Sequence, residues 1–217
     1  MQRILTLATG LGLAMTAPAM ADFELSIYTG FQTAPHSRVE GEDSTGEFSF
    51  LSEWEGRPFE APPYYGVRGT WWRNENWGFG AELNHAKVYA DDDTLDDNGF
   101  ESFELTDGLN IITANIFYRW PNQWLKGQIT PYVGGGVGIS VPHVDVERGP
   151  DKTFEYQLTG PAVMWAAGAS FDLNETWALF TEYKGTFSSN EADLDGGGSF
   201  ETDIVTNAIN FGVTYKF

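Results

Sequence analysis

Three histidines, His36, His85 and His143, are the side chains whose type and spacing could do chemistry in this sequence. Two are followed by carboxylates: Asp91 to Asp93 after His85, and Asp145 and Glu147 after His143. Mixed imidazole and carboxylate ligands suit Fe, Zn or Mn rather than Ca, which prefers oxygen alone. The same groups could act as general acids or bases. Against this stands the plain reading of any one histidine as a solvated loop residue. The run NEADLDGGG from Asn190 offers hard oxygens and a sharp turn, but it lacks the full ligand ladder of a calcium loop. The chain has no cysteine, so disulfides and thiol catalysis are excluded.

The elements that must position these residues alternate with period two. Residues 22–32, DFELSIYTGFQ, set Phe23, Leu25, Ile27 and Phe31 against Glu24, Ser26, Tyr28 and Gln32, which predicts a strand. Comparable alternation predicts strands at 65–72, 77–88, about 109–120, 129–141, about 160–171 and 177–187, with an eighth ending the chain. Ahead of them, residues 1–21 carry Arg3, an apolar stretch and the small-residue ending Ala19-Met20-Ala21. This pattern reads as a secretory signal peptide cleaved after Ala21. No later stretch approaches the ~20 apolar residues of a membrane helix, so any membrane crossing falls to strands.

Connection lengths alternate. Short links at 73–76, 121–128 and 172–176 alternate with long ones at 33–63, 91–108, 142–156 and 188–204, the pattern of short periplasmic turns and long outer loops. Trp71, Trp77, Tyr118, Trp177, Tyr215 and Phe217 all lie near the short-turn ends, as an interfacial aromatic girdle requires. A soluble sandwich would bury such rings, but it would not need the closing alternation Ile209, Phe211, Val213, Tyr215, Phe217. That ending resembles the signal read by the bacterial barrel-assembly machinery. The closing strand must also pair with the first, because an open edge in hydrocarbon leaves backbone groups unsatisfied. The expectation is one domain, 22–217: an all-β, eight-stranded antiparallel up-and-down transmembrane β-barrel. It would be a monomer of the outer membrane, with extracellular long loops and both mature termini in the periplasm.

The formal charge of −19 becomes −20 on losing Arg3, which excludes nucleic acid as a partner, since neutralising phosphates takes clustered Lys and Arg. The acidic residues gather in the long connections and read as solvated loops. Parity puts Glu24, Arg68, Glu82, Arg119, Glu182 and Lys184 inside. A barrel of eight strands is largely filled by side chains, so a plug of paired charges is expected, Arg68 with Glu82 among them, rather than a wide pore. Parity also puts His85 and Lys87 on the lipid-facing side with Leu83, and His143 with Val141. All three histidines fall in the outer half, where a lipid-facing His and Lys at headgroup height would meet lipid A.

Several strings are familiar as a set: TAPHSRV from Thr33, EGRPFEAPPYYGVR from Glu55, HAKVYADD from His85, TPYVGGGVGISVPHVDVE from Thr130, and EYKGTFSSNEADLDGGGSFETDIVTNA from Glu182. Over essentially the whole mature chain they resemble the lipid A oxidase family of rhizobia and related bacteria. The resemblance implies oxidation of the proximal glucosamine of lipid A to 2-aminogluconate by O2, with release of hydrogen peroxide. Such a reaction needs a route for electrons to oxygen, and ordinary side chains provide one poorly. No flavin or nicotinamide fold is expected, so the resemblance points to a rim metal, Fe, Mn or Zn, held by His36, His85 and His143 with Asp91 or Asp145. Glu60 or Glu182 would be the base for the C1 hydroxyl. The competing functions are a structural or adhesive barrel, a small pore, and a lipid A deacylase built on the adjacent pair His36-Ser37.

Overall fold

The computed structural model describes residues 22–121 and 123–217; the signal peptide expected at 1–21 lies outside them. Eight strands close a ring: β1 (Asp22–Thr33), β5 (Tyr65–Trp72), β6 (Trp77–Ala90), β7 (Ser102–Arg119), β8 (Ile129–Arg148), β10 (Gly160–Asp172), β11 (Trp177–Asp193) and β12 (Ser199–Lys216). Every neighbour pair is antiparallel, and β12 returns to β1 with Leu25 opposite Tyr215 and Phe31 opposite Ile209. The last residue completes the seam: the Phe217 N–H donates to the Phe23 carbonyl at 2.9 Å, and the two rings lie 5.3 Å apart. At the same end Trp77 meets Tyr118 and Trp177 meets Tyr215, ring edge to face, as the girdle required. Above them Ile27, Phe79, Ile116, Val137 and Phe211 stand exposed on the outer wall, the apolar band of a membrane-spanning barrel.

The strands run further than their alternation predicted. β7, β8, β11 and β12 have 18, 20, 17 and 18 residues, whereas about 9–11 tilted residues cross the hydrocarbon. The connections expected as loops at 142–156 and 188–204 are therefore mostly strand, and the one at 91–108 is strand from Ser102 onward. The one at 33–63 holds β2 (Ser37–Asp43), β3 (Gly46–Ser52) and β4 (Trp54–Glu55); β2 pairs with the top of β12 and β4 with the top of β6. A second short strand, β9 (Asp151–Tyr156), pairs with β8. The extension is stable because its inward face is apolar. Phe103, Leu105, Val144, Phe200 and Ile204 from the ring pack with Val39, Phe48, Phe50 and Trp54 from the first long connection. The acidic residues keep their solvated positions on the outward face, where Glu40, Glu42, Glu191 and Glu201 are exposed.

Helix α1 (Asp92–Asn98) lies in the connection from β6 to β7. Asp91 caps it by accepting from the Thr94 N–H, Asp92 and Asp93 sit at its positive end, and Gly99 ends it at φ 72°, a conformation that suits glycine. Phe103, within the upper core, touches the rings of Phe50, Trp54, Phe100 and Phe200. Phe103→Ala is expected to destabilise this upper half by about 3–5 kcal/mol. Limited proteolysis should then cut the β2–β3 hairpin while the girdled end of the ring stays protected.

The hairpin tip is tied across the top. Arg148 donates to Asp43 at 3.3 Å and lies over the Phe48 and Phe100 rings, while Ser44 contacts Asp151. Burial works against the Asp43 carboxylate, but hydrogen bonds from the Thr45 hydroxyl and N–H and from Arg148 outweigh it and hold the group below the usual carboxylate range. A lowered folded value means the stabilisation is complete above the unfolded value, near 4, and is lost as pH falls through the folded one. The protection of the Thr45 amide, its exchange rate relative to that of an unstructured amide at the same pH, should accordingly hold at neutral pH and fall only in that acid window.

The girdled half is filled by charge. Arg68 donates to Glu82 at 2.6 Å and, through both terminal nitrogens, to Glu182 at 2.7 and 3.0 Å. Lys184 pairs with Glu82 and donates to the Tyr28 hydroxyl, while Tyr132 and Asn210 donate to Glu182. Nearer the girdle Arg119 pairs with Glu24 at 3.0 Å. All six lumen residues predicted from parity are thus inside and paired, and the barrel is plugged.

Candidate functional site

The wall places the three histidines apart. His36, exposed just past β1, has Nε2 3.9 Å from a Glu53 carboxylate oxygen. His85 on β6 points outward, as parity predicted, but it is buried against the wall: its ring stacks on Tyr65 at 4.9 Å and Nδ1 lies 3.0 Å from Asn110 Oδ1. His143 is wedged between Phe154 and Tyr156 on β9, ring centroids 4.3 and 4.7 Å away. It lies two strands from His85, which separates their Cα atoms by roughly 10 Å across the sheet.

The carboxylates expected beside them are employed elsewhere. Asp91 caps α1, and Asp145 accepts from the Ser102 hydroxyl at 2.9 Å with Lys152 3.4 Å away. Among the described residues no three His, Asp or Glu side chains gather around a point that could hold one ion. Nor do the two expected bases meet the rim. Glu182 is in the lumen, on the opposite face of the wall from His85, with both oxygens engaged. Glu60 directs its carboxylate toward Arg57, and it is its backbone carbonyl that contacts Lys87. Ser37, beside His36, has its hydroxyl with Thr202 and the Trp54 indole N–H.

The structure assembles something else at this height. Pairing aligns Tyr65, His85, Asn110 and Val141 as one row across β5, β6, β7 and β8, directly above the row Val67, Leu83, Ile112 and Ile139. Polar and aromatic side chains thus sit on an apolar shelf, and a groove of about 480 Å³ opens between them, flanked by Pro62 on one side and Tyr156 on the other. The Asn110 amide nitrogen donates to the Val141 carbonyl, so its oxygen faces His85. That arrangement holds the His85 ring by its Nδ1 edge. Register shifts in the β6–β7 and β7–β8 ladders flank the site, and Gly108 (φ 109°) passes so close that a Cβ there would collide with the His85 ring. Lys87, also expected to face lipid, is fully buried beneath the 56–64 segment and donates to the carbonyls of Glu60 and Pro62 at 3.3 and 2.9 Å.

Asn110 was within reach of the sequence, since it continues the outward parity of Ile112, Ala114 and Ile116, where an amide is out of place. Pro62 and Tyr156 carried no such signal, because they arrive from segments read as loops. Chemically the groove suits an amphiphile, with acyl chain along Leu83 and Ile112 and hydroxyl or amide groups at His85, Asn110 and the tyrosines.

Residues 5–217 match the family model described as the outer membrane protein beta-barrel domain. No curated protein matches the chain in sequence. Among solved structures it is similar to OprG from Pseudomonas aeruginosa (TM-score 0.55, 14% identity, 91% of this chain and 96% of that one) and to Neisserial surface protein A (0.52, 14%, 90% and 97%). It is also similar to outer membrane protein AlkL in DMPC bilayers (0.52, 14%, 100% and 97%). At such identities the likeness is one of fold.

Proposed function

The chain belongs to the outer membrane protein beta-barrel family, and from that premise we propose that it modifies lipid A, oxidising the proximal glucosamine to 2-aminogluconate with O2. The long-strand end then faces outward, and the groove opens on the outer leaflet. The observation that carries this reading is the row Tyr65, His85, Asn110 above Leu83 and Ile112, an amphipathic groove on the membrane side of a wall whose lumen is plugged. A plugged lumen directs attention to the outer wall, and a polar row at the top of the apolar band meets a lipid where chain gives way to sugar.

In this reading acyl chains lie on Leu83 and Ile112, and the sugar meets His85 and Asn110. The net change at C1 is loss of two electrons and two protons to O2, which becomes hydrogen peroxide, with His85 the side chain beside the sugar that would take up the hydroxyl proton. Hydrolysis of the resulting lactone gives the aminogluconate. Since His36, His85, His143, Asp91 and Asp145 do not converge among the described residues, no step is routed through a metal.

A second reading, a structural or adhesive barrel, draws support from the acidic outward face at Glu40, Glu42, Glu191 and Glu201. Lipid A mass spectra from matched strains with and without the gene separate the two. The oxidase reading requires a species heavier by one oxygen atom that disappears on deletion; identical spectra overturn it and leave the surface barrel.

A further inference from the structure

Between β4 and β5 the chain from Gly56 to Tyr64 is fastened to the outer wall rather than standing off it. At one end Arg57 pairs with Glu55 at 2.6 Å and lies 4.8 Å over the Tyr89 ring. At the other the Tyr64 N–H donates to the Pro58 carbonyl, and the Tyr64 carbonyl accepts from the Thr29 hydroxyl at 2.7 Å. In the middle the Lys87 ammonium donates to the carbonyls of Glu60 and Pro62. A lysine with no exposure, on the outer face of a barrel and bonded to loop carbonyls, acts as a rivet.

What the rivet holds out is apolar. Phe59 is 63% exposed and stands edge-on to Phe31, itself 62% exposed, with ring centroids 5.2 Å apart. Phe31 is on the outward face of β1 opposite Ile209, and Ile209 and Phe211 beside it are also exposed, so the pair of rings continues the apolar band upward. In water such a patch would be unfavourable in proportion to the apolar area left uncovered. At the edge of a bilayer aromatic rings are favoured. From the same segment Pro62 forms one side of the groove over Leu83 and Ile112.

We propose that Gly56–Tyr64 is a membrane-docking clasp: Phe59 seats with Phe31 among the acyl chains of the leaflet at the long-strand end, and the Lys87 rivet fixes Pro62 as a rigid side of the groove. The inference stands whether or not the barrel oxidises lipid A, and its test reads membrane contact, not activity.

The native chain has no cysteine, so single cysteines can be placed cleanly. Spin labels at Phe59→Cys, Phe31→Cys and Ser49→Cys, in the full barrel in phosphatidylcholine vesicles, report accessibility to oxygen, which concentrates in lipid, and to a water-soluble nickel chelate. Labels at 59 and 31 are expected to favour oxygen several-fold over the label at 49, which lies on the exposed face of β3. A label at 59 as accessible to nickel as the label at 49 overturns the proposal. Adding Lys87→Met to Phe59→Cys should free the label, raising its mobility and nickel accessibility, while the label at 31 is unchanged; an unchanged label at 59 overturns the rivet. If Lys87→Met does not fold, seen as loss of heat-modifiable migration, the comparison of 59 with 49 in the otherwise native barrel still decides the docking.

Discussion

Arg68→Met is expected to destabilise the barrel by about 3–5 kcal/mol, because it leaves two buried carboxylates facing each other without their main partner. Arg68 bridges Glu82 on β6 and Glu182 on β11, strands on different sides of the ring, so one guanidinium ties the lumen together. Among the described residues Lys184 would be the one cation left beside Glu82, and Glu182 would keep the neutral donors Tyr132 and Asn210. Thermal titration of the folded, fast-migrating form on unheated gels measures the loss. The double change Arg68→Met with Glu182→Gln should recover part of it, since removing both partners of a buried pair is far milder than removing one. A single variant as stable as the parent would mean that water reaches the cluster and screens it.

That network was legible in the sequence because period two is rigid. Once Tyr65, Val67 and Trp71 face lipid, Arg68 must face the lumen, and the same reasoning on β6 and β11 puts Glu82 and Glu182 beside it. Where each strand stops was not legible. Alternation predicts a strand only while one face is apolar and the other polar, and above the membrane the assignment inverts: Val144, Val146 and Ile204 turn inward while charged residues turn outward. A chain that reads as an acidic loop is then the outer skin of an apolar core. The site suffered from the same blindness. His85 was placed on the correct face from parity, but its neighbours Tyr65 and Asn110 come from strand pairing, and Pro62 comes from a segment whose path over the wall depends on a lysine 25 residues away. Grouping His36, His85 and His143 by height left out their places around the barrel, where His85 and His143 stand two strands apart.

His85→Ala is expected to lower the rate of lipid A oxidation by purified barrel in detergent by about 10²–10⁴, the range for loss of a positioned general base, with migration of the folded form unchanged. The position supports a large effect, because His85 is the imidazole in a row otherwise made of Tyr65, Asn110 and Val141, and imidazole is the commonest general base. Asn110→Leu should act less strongly and through His85: without the amide beside Nδ1 the imidazole loses its fixed orientation, and kcat should fall more than KM changes. Leu83→Trp fills the shelf below and should raise KM with little change in kcat, because it removes acyl-chain binding that contributes equally to ground and transition states. The three variants together separate a groove that binds and reacts from one that only shapes the wall. If His85→Ala converts lipid A at the parental rate, the groove is not where the sugar is oxidised, and the reaction must be sought among the exposed residues of the upper wall, where His36 and Glu53 stand.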